Sequence, residues 1–521
     1  MQHKLLPFRE THAFSDFFLD YIEQKDSLKP FYHRFPLVEN FKAQIEEKKK
    51  SFPRQNREVL VQTLQKQYKA LTVSETVRTN IDSLIDEKTF TVTTGHQLNI
   101  FTGPLYFIYK IVTVVNACKE LKKTHPGYNF VPVYWMASED HDYEEIKSFR
   151  LYEKKYTWTT EEKGAVGRFS TKSFDALLNE IPGDTSLFKE AYLKNKTLAD
   201  AVRHYVNSLF GKEGVVVIDA DDRELKKIFT PVIREDVFES SLASKVESTT
   251  RKLQSLGYHT QVHARDINFF YLDHQLRGRI EKKEKDFAVV DSKLHFSKAE
   301  LETLAETEPE RFSPNVILRP LYQEIILPNL AYVGGPSEVV YWLQLKELFG
   351  HFHIPFPMLM PRNFALVIDP PTQRKLDKTG LDVSDFFETK NFIFNHWTIK
   401  NTHHDLSLGT EIHAMLQLFE RIKQRAAAID PTLAPHTGAK AKKTLDSLNV
   451  IEKKLLKAEK RNHTDKLRQI EAVKDALFPG GSLQERTDNF LNFYQQDPAF
   501  IDHLLTSFDA FDFRMNVLTY A

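Results

Sequence analysis

One cysteine, Cys118, is all that 521 residues supply, so no internal disulfide can close. Falling late in a helix-like stretch with no partner to favour a thiolate, it reads as a core residue, not a nucleophile. Surplus charge is also missing: 71 Lys and Arg balance 71 Asp and Glu, which leaves no overall field to draw nucleic acid or an anionic membrane. No window approaches the roughly eighteen consecutive apolar residues that a membrane span needs. The opening MQHKLLPFRE lacks the basic-then-apolar order of a secretory signal, and with the lone cysteine this predicts a cytoplasmic protein. Neither a Walker loop nor a G-x-G-x-x-G fingerprint occurs. His351-Phe352-His353 and His403-His404-Asp405 lack further ligands nearby, so no metal is expected.

What is present suits a folded protein of more than one unit, with 41% hydrophobic residues and 40 Phe. Residues 1–85 read as a helical layer, with Phe14, Phe17, Phe18 and Tyr21 at helical spacing. From 86 to 400 the pattern predicts an α/β core with a Rossmann-like parallel sheet. Thr89–Thr94, Phe130–Met136 and Val215–Ile218 are strands, and polar residues collect after their ends. Later strands are expected at Asn268–Leu272, Tyr332–Gly334, Phe356–Met360 and Ala365–Ile368, the sheet domain running to about residue 375. Over 405–478, Ile412, Met415, Phe419, Ile422, Ala426 and Ile429 form a coiled-coil seam. The breaker Asp430–Pro435 and a Lys- and Glu-rich stretch then predict an antiparallel helical hairpin. Residues 479–521 are aromatic enough to return to the body.

Three segments could carry chemistry. In Thr93–Lys110, Gly95 and Gly103 bracket a polar turn before a helix, where free backbone N–H groups with His96, Gln97 and Thr102 would cradle an anion. An ordinary glycine turn with Pro104 at the first helical position explains the same spacing. In Trp135–Asp142, Glu139, Asp140, His141 and Asp142 crowd after a strand, which suits an ammonium group or proton transfer; a solvated acidic loop is the plain alternative. Around Tyr332–Trp342, Gly335 and Glu338 stand at a helix entrance with Tyr341 beyond, and Arg362-Asn363 follows another strand. Arg362 would grip a carboxylate bidentately, or form a surface ion pair.

Taken in order, TTGHQLNIFTGPLYFIYKI, WMASEDHDYEEI, YVGGPSEVVYWLQL, MPRNFALVID and SLQER resemble the bacillithiol-biosynthesis cysteine-adding enzymes over nearly the whole chain. That resemblance implies a Rossmann-like core with connecting-peptide insertions and a C-terminal coiled coil through which subunits dimerise. It implies a ligase joining the carboxyl of L-cysteine to the amine of glucosaminyl-malate. It also implies a nucleotide, ATP or ADP, for which Gln484, Glu485, Arg486 and Asn489 are the candidates. The H-x-G-H and K-M-S-K-S motifs of adenylate-forming relatives of such a core are missing. Within this reading His96, Asp140 and Asp142 are catalytic, while Gly95, Gln97, Thr102, Gly103, Tyr106, Trp135, Glu139, His141, Gly335, Glu338, Tyr341, Arg362 and Asn363 bind substrate. Two alternatives stay open: another nucleotide-dependent transferase using the same crevice, and a non-catalytic coiled-coil scaffold that senses a nucleotide. The coil itself reads equally as an intramolecular hairpin.

Overall fold

The computed structural model describes residues 1–520. Its centre is a five-stranded, all-parallel sheet built from β2 (Thr89–His96), β3 (Asn129–Met136), β4 (Val216–Asp219), β5 (Asn329–Gly334) and β6 (Met358–Pro361). The spatial order is β6-β5-β2-β3-β4. In chain order this is 3-2-1-4-5, the winding of a Rossmann sheet, with its reversal point between β2 and β5. Buried on both faces, these strands read as continuous β-branched and apolar runs rather than alternating ones. Helix α1 (Tyr106–Thr124) packs on β2 and β3, and nearly all of its first half is buried. Helices α2 (Arg319–Ile326) and α3 (Pro336–Trp342) flank β5 on either side in sequence.

Two expected core strands lie elsewhere. The one expected at Asn268–Leu272 spans Phe269–Asp273 and belongs to a separate five-stranded sheet, where its neighbours pair with it antiparallel. Its partner Leu276–Lys283 alternates half-buried and buried side chains over Arg277–Glu281, one face turned to the sheet's packed side. The strand expected at Ala365–Ile368 is β7 (Phe364–Ile368), which is fully buried but lies beside β8 (Arg514–Thr519) and not in the central sheet. The chain start departs from an all-helical layer as well, since β1 (Gln2–Pro7) pairs antiparallel with β8. Pairing partners more than a hundred residues distant leave no local period to announce them.

The hairpin expected over 405–478 forms, but its second arm is broken at His463 and does not run to Leu477 as one helix. Helices α4 (Gly409–Ile429) and α5 (Leu433–Asn462) pack side by side, with Asp430 accepting from the Thr432 amide at 2.8 Å in the turn between them. After His463 the chain continues as α6 (Thr464–Leu477), which buries Leu467, Ile470, Val473 and Leu477 against the body. None of the helices in the described residues is long and apolar enough to cross a membrane.

Candidate active site

At the reversal point the strand ends diverge, and a cavity of about 720 Å³ opens there. Gly95, His96 and Gln97 reach it from the end of β2, and Trp135, Glu139, Asp140 and His141 from the end of β3. Tyr332, Glu338 and Tyr341 come from β5 and α3, while Arg265, Arg277 and Arg279 come from the antiparallel insertion and Arg319 from the start of α2.

The floor is an ion pair. Glu338 stands at the third position of α3 and turns back to accept from the Gly335 amide at 2.8 Å, a helix-capping geometry that Pro336 prepares. The Tyr332 hydroxyl donates to its other oxygen at 2.6 Å, and the Lys110 ammonium sits 2.5 Å away. Burial pushes the Glu338 carboxyl upward, but the Lys110 charge and these hydrogen bonds outweigh it and hold the group at about 2. Lys110 also donates to the Gly95 carbonyl at 2.8 Å, and burial lowers its pKa. Sequence reasoning missed Lys110, although a lone charge amid Ile108, Tyr109, Ile111 and Val112 was a legible signal.

His96 stacks on Tyr106 with centroids 5.2 Å apart and planes 4° from parallel, and its Nε2 is buried with no partner among the described residues. Burial and the nearby Lys110 charge push its pKa down to about 3, so the imidazole is neutral at physiological pH. Because the unfolded chain would bind this proton near pH 6.5 and the folded one does not, stability should fall as pH drops from 6.5 towards 3. His96 should account for up to about 1.4 kcal/mol per pH unit of that slope. Urea unfolding at several pH values should show a shallower acid slope in His96→Gln; an unchanged slope would contradict the buried neutral assignment.

Asp140 is fixed from three sides: the Gln97 amide donates to it at 3.0 Å, the His141 backbone N–H at 2.8 Å, and Arg277 at 3.4 Å. Burial opposes its charge, yet these donors hold it well below the usual carboxylate range. Arg277 lies 4.0 Å over the Phe270 ring and 2.8 Å from His141 Nδ1. Glu139 instead pairs with the buried Lys226, which also donates to the Phe312 carbonyl at 2.6 Å; burial pushes the Glu139 carboxyl up. The cationic wall was not foreseen. Arg277 and Arg279 are two apart on a strand and so share a face, but Leu276–Lys283 reads locally as an ordinary wet strand.

Several assigned residues stand away from this cavity. Asp142 caps the short helix Tyr143–Ile146, accepting from the Glu145 amide at 3.2 Å, and is corrected to a structural position. The anion cradle does not form as expected either: Thr102 is fully buried, the Gly103 carbonyl is taken by Asn489, and the Leu105 amide donates to the Asp488 carbonyl at 2.7 Å. Arg362 is no free carboxylate grip, because Glu485 fills its fork at 2.5 and 2.9 Å in a pair 2% and 1% exposed. Asn363 bonds Thr113 and the Asp509 carbonyl. Gln484 pairs with both backbone groups of Val367, and Asn489 with the carbonyls of Phe101 and Gly103, so these two amides are committed to the fold. Arg486 differs, lining a second cavity of about 480 Å³ with Lys474, Arg362 and Glu485.

The chain matches two family descriptions that divide it almost end to end. Residues 1–363 match "Bacillithiol biosynthesis BshC, N-terminal Rossmann-like domain", and residues 365–520 match "Bacillithiol biosynthesis BshC, C-terminal coiled-coil domain". The chain belongs to the bacillithiol biosynthesis BshC family. Relatives bearing the printed name "Putative cysteine ligase BshC" include those of Flavobacterium johnsoniae and Christiangramia forsetii. The first is 41% identical over 99% of each chain, the second 41% over 100% of this chain and 99% of its own. That of Salinibacter ruber is 31% identical over 94% of each. In this BshC member the change of description at 363–365 falls just after Arg362, so the buried Arg362–Glu485 pair ties one part to the other.

Proposed function

We propose that the chain is a cysteine ligase that joins the carboxyl of L-cysteine to the amine of glucosaminyl-malate. The observation that carries this reading is that one cavity gathers charges of both signs, with Asp140 and Arg277 already 3.4 Å apart across it. Four arginines stand on the insertion and at the start of α2, and two ionised carboxylates, Asp140 and Glu338, on the core side. Glucosaminyl-malate is a molecule of the matching kind, with two carboxylates at one end and an amine at the other. The malate carboxylates take Arg279 and Arg265, for which a guanidinium fork is the better partner than an ammonium, while Arg277 holds Asp140 in place. The amines are drawn to Asp140 and Glu338. His96, neutral, offers its partnerless ring nitrogen as a hydrogen-bond acceptor that orients the attacking amine. Arg319 faces the carbonyl oxygen as it gains charge.

A carboxylate must be activated before it acylates an amine: transfer of a phosphoryl or nucleotidyl group to the cysteine carboxylate would supply the leaving group that the amine displaces, and we assign ATP or ADP to the second cavity, which borders the first where Ser337 meets Glu338. Its support is chemical. The Lys474 ammonium is matched to the Phe478 ring at 3.6 Å and the Phe386 carbonyl at 2.5 Å, burial lowers it to about 8, and Arg486 faces the same space. Phosphates suit both cations, and the rings of Phe14, Phe387 and Phe478 suit a base. Purified protein given L-cysteine, glucosaminyl-malate and each nucleotide should yield the cysteinyl product by mass spectrometry, at a rate that Asp140→Asn reduces at least about a hundredfold. Nucleotide consumption without that product would overturn the ligase reading.

The hairpin supports a dimer. Leu418, Ile422 and Ile429 recur on one face of α4 and are 48%, 42% and 83% exposed, while Val450 and Ile451 on α5 are 51% and 46% exposed. Such a stripe on a coiled-coil pair fits a second copy of the same hairpin. Light scattering should give twice the monomer mass for the native chain and the monomer mass for Leu418→Glu with Ile422→Glu. A native monomer at tens of micromolar would refute it.

A further inference from the structure

The loop that leaves β2 is held in a conformation its residues do not favour. Phe101 and Thr102 both have positive φ, 51° and 69°, followed by Gly103 at 62°. Side-chain-bearing residues rarely adopt this region even singly, and such strain persists only where surrounding structure enforces it. Gly103 has no alternative, since a Cβ there would fall 2.5 Å from the Asn99 side chain.

The enforcing contacts come largely from the far end of the chain. Asn489, fully buried, donates both amide hydrogens into the turn, to the Phe101 carbonyl at 2.7 Å and the Gly103 carbonyl at 2.6 Å. Its own oxygen accepts from the Leu491 amide at 3.0 Å, which fixes the orientation of the side chain. Next to it, the Asp488 carbonyl accepts from the Leu105 amide. From the other side the Tyr192 hydroxyl accepts from the Phe101 amide at 2.9 Å.

On either side of this turn lie the groups of the crevice. Before it, Gln97 holds Asp140 and His96 projects from the end of β2; after it, α1 begins at once, and its first residue, Tyr106, is the ring on which His96 stacks. Lys110 follows on the same helix and must reach Gly95 and Glu338. The turn therefore sets how α1 enters against β2, and with it the His96–Tyr106 stack and the Lys110–Glu338 pair. We propose that Asn489 is a positioning residue of the active site: by holding the strained Phe101–Gly103 turn, the segment after the coil fixes the geometry of the crevice from outside it. This rests on the ligase reading for its kinetic part only.

The test uses full-length protein carrying Asn489→Ala or Asn489→Ser. The second variant keeps a short uncharged acceptor for Leu491 but cannot donate to both carbonyls, and serves if the first does not fold. Hydrogen exchange followed by mass spectrometry should show the amides of 98–105 exchanging about thirtyfold faster in either variant, as the loss of two hydrogen bonds implies. At a temperature where all proteins are folded, kcat should fall about a hundredfold while KM for each substrate changes less than about threefold. Adding Thr102→Gly, which removes one source of strain, should recover about tenfold of kcat in the Asn489→Ala background. Unchanged exchange over 98–105, or faster exchange with unchanged kcat, overturns the proposal. If the native enzyme makes no cysteinyl product, the ligase reading fails and exchange alone decides whether Asn489 holds the turn.

Discussion

Arg319→Met is expected to lower kcat/KM for amide formation by about 10²- to 10³-fold with the fold retained, the scale on which one preorganised donor to a developing oxyanion counts. Arg319 is held by aromatic faces, with its guanidinium 5.9 Å from the Trp135 ring, 5.5 Å from Tyr332 and 5.8 Å from Trp342. Its Nη1 donates to Gln323 at 3.2 Å. Burial works against the charge, but the tyrosines beside it and Glu338 keep it firmly protonated. A cation held this way keeps its remaining donors for a ligand. Gly95 leaves room beside it, since a Cβ there would press on the Tyr332 hydroxyl at 3.3 Å and touch Arg319 Nη1 at 3.6 Å. Methionine fills the same aromatic slot without charge, so packing survives while the electrostatic contribution disappears. Lysine should rescue little, since an ammonium lacks the planar fork and its ring contacts. Activity of Arg319→Met within threefold of the native enzyme would remove Arg319 from the chemistry.

The second large effect concerns stability. Lys110→Met should destabilise the protein by about 3 kcal/mol at pH 7, because Glu338 would remain in a largely buried place with its main counter-charge gone. In the native protein the Glu338 carboxyl is depressed to about 2, so its contribution is complete above its ordinary value and disappears as pH falls through 2. Without Lys110 the sign reverses: burial dominates, the folded pKa rises above the ordinary value, and acidification from pH 7 to 5 should relieve part of the penalty. Adding Glu338→Gln should restore much of the loss, a coupling that urea unfolding of the two single variants and the double variant would measure. Equal and additive losses in the two single variants would show that the pair does not hold the floor.

How much of this was legible in the chain follows from the distance over which each signal acts. Thr89–Thr94, the glycines at 334 and 335, and the 3.6-residue period of α4 announce themselves within a turn or two of backbone, and the sheet, its crevice and the hairpin follow. Gln97 and Asp140 could be placed together because both follow strand ends of one parallel sheet. The arginines could not. Arg277 and Arg319 become cavity residues only because the insertion folds over the strand ends, and nothing in Leu276–Lys283 distinguishes that strand from a solvent-facing edge. Arg362 has the chemistry of a ligand-gripping fork, yet Glu485, 123 residues away, already supplies its carboxylate. Asn489 was read as a nucleotide contact, and its partners lie 388 and 386 residues upstream.

The small sheet that joins β1, β8 and β7 bears on biogenesis. His3 on the first strand bonds Asn516 on the last, 513 residues along the chain, at 2.8 Å. During synthesis β1 therefore waits for the 513 residues that follow His3 up to Asn516 to leave the ribosome before its ladder can form, and β7 waits for β8 with it. Until then both present unpaired edges that invite pairing with other chains. A sheet whose first strand pairs with one about 510 residues downstream closes late in folding.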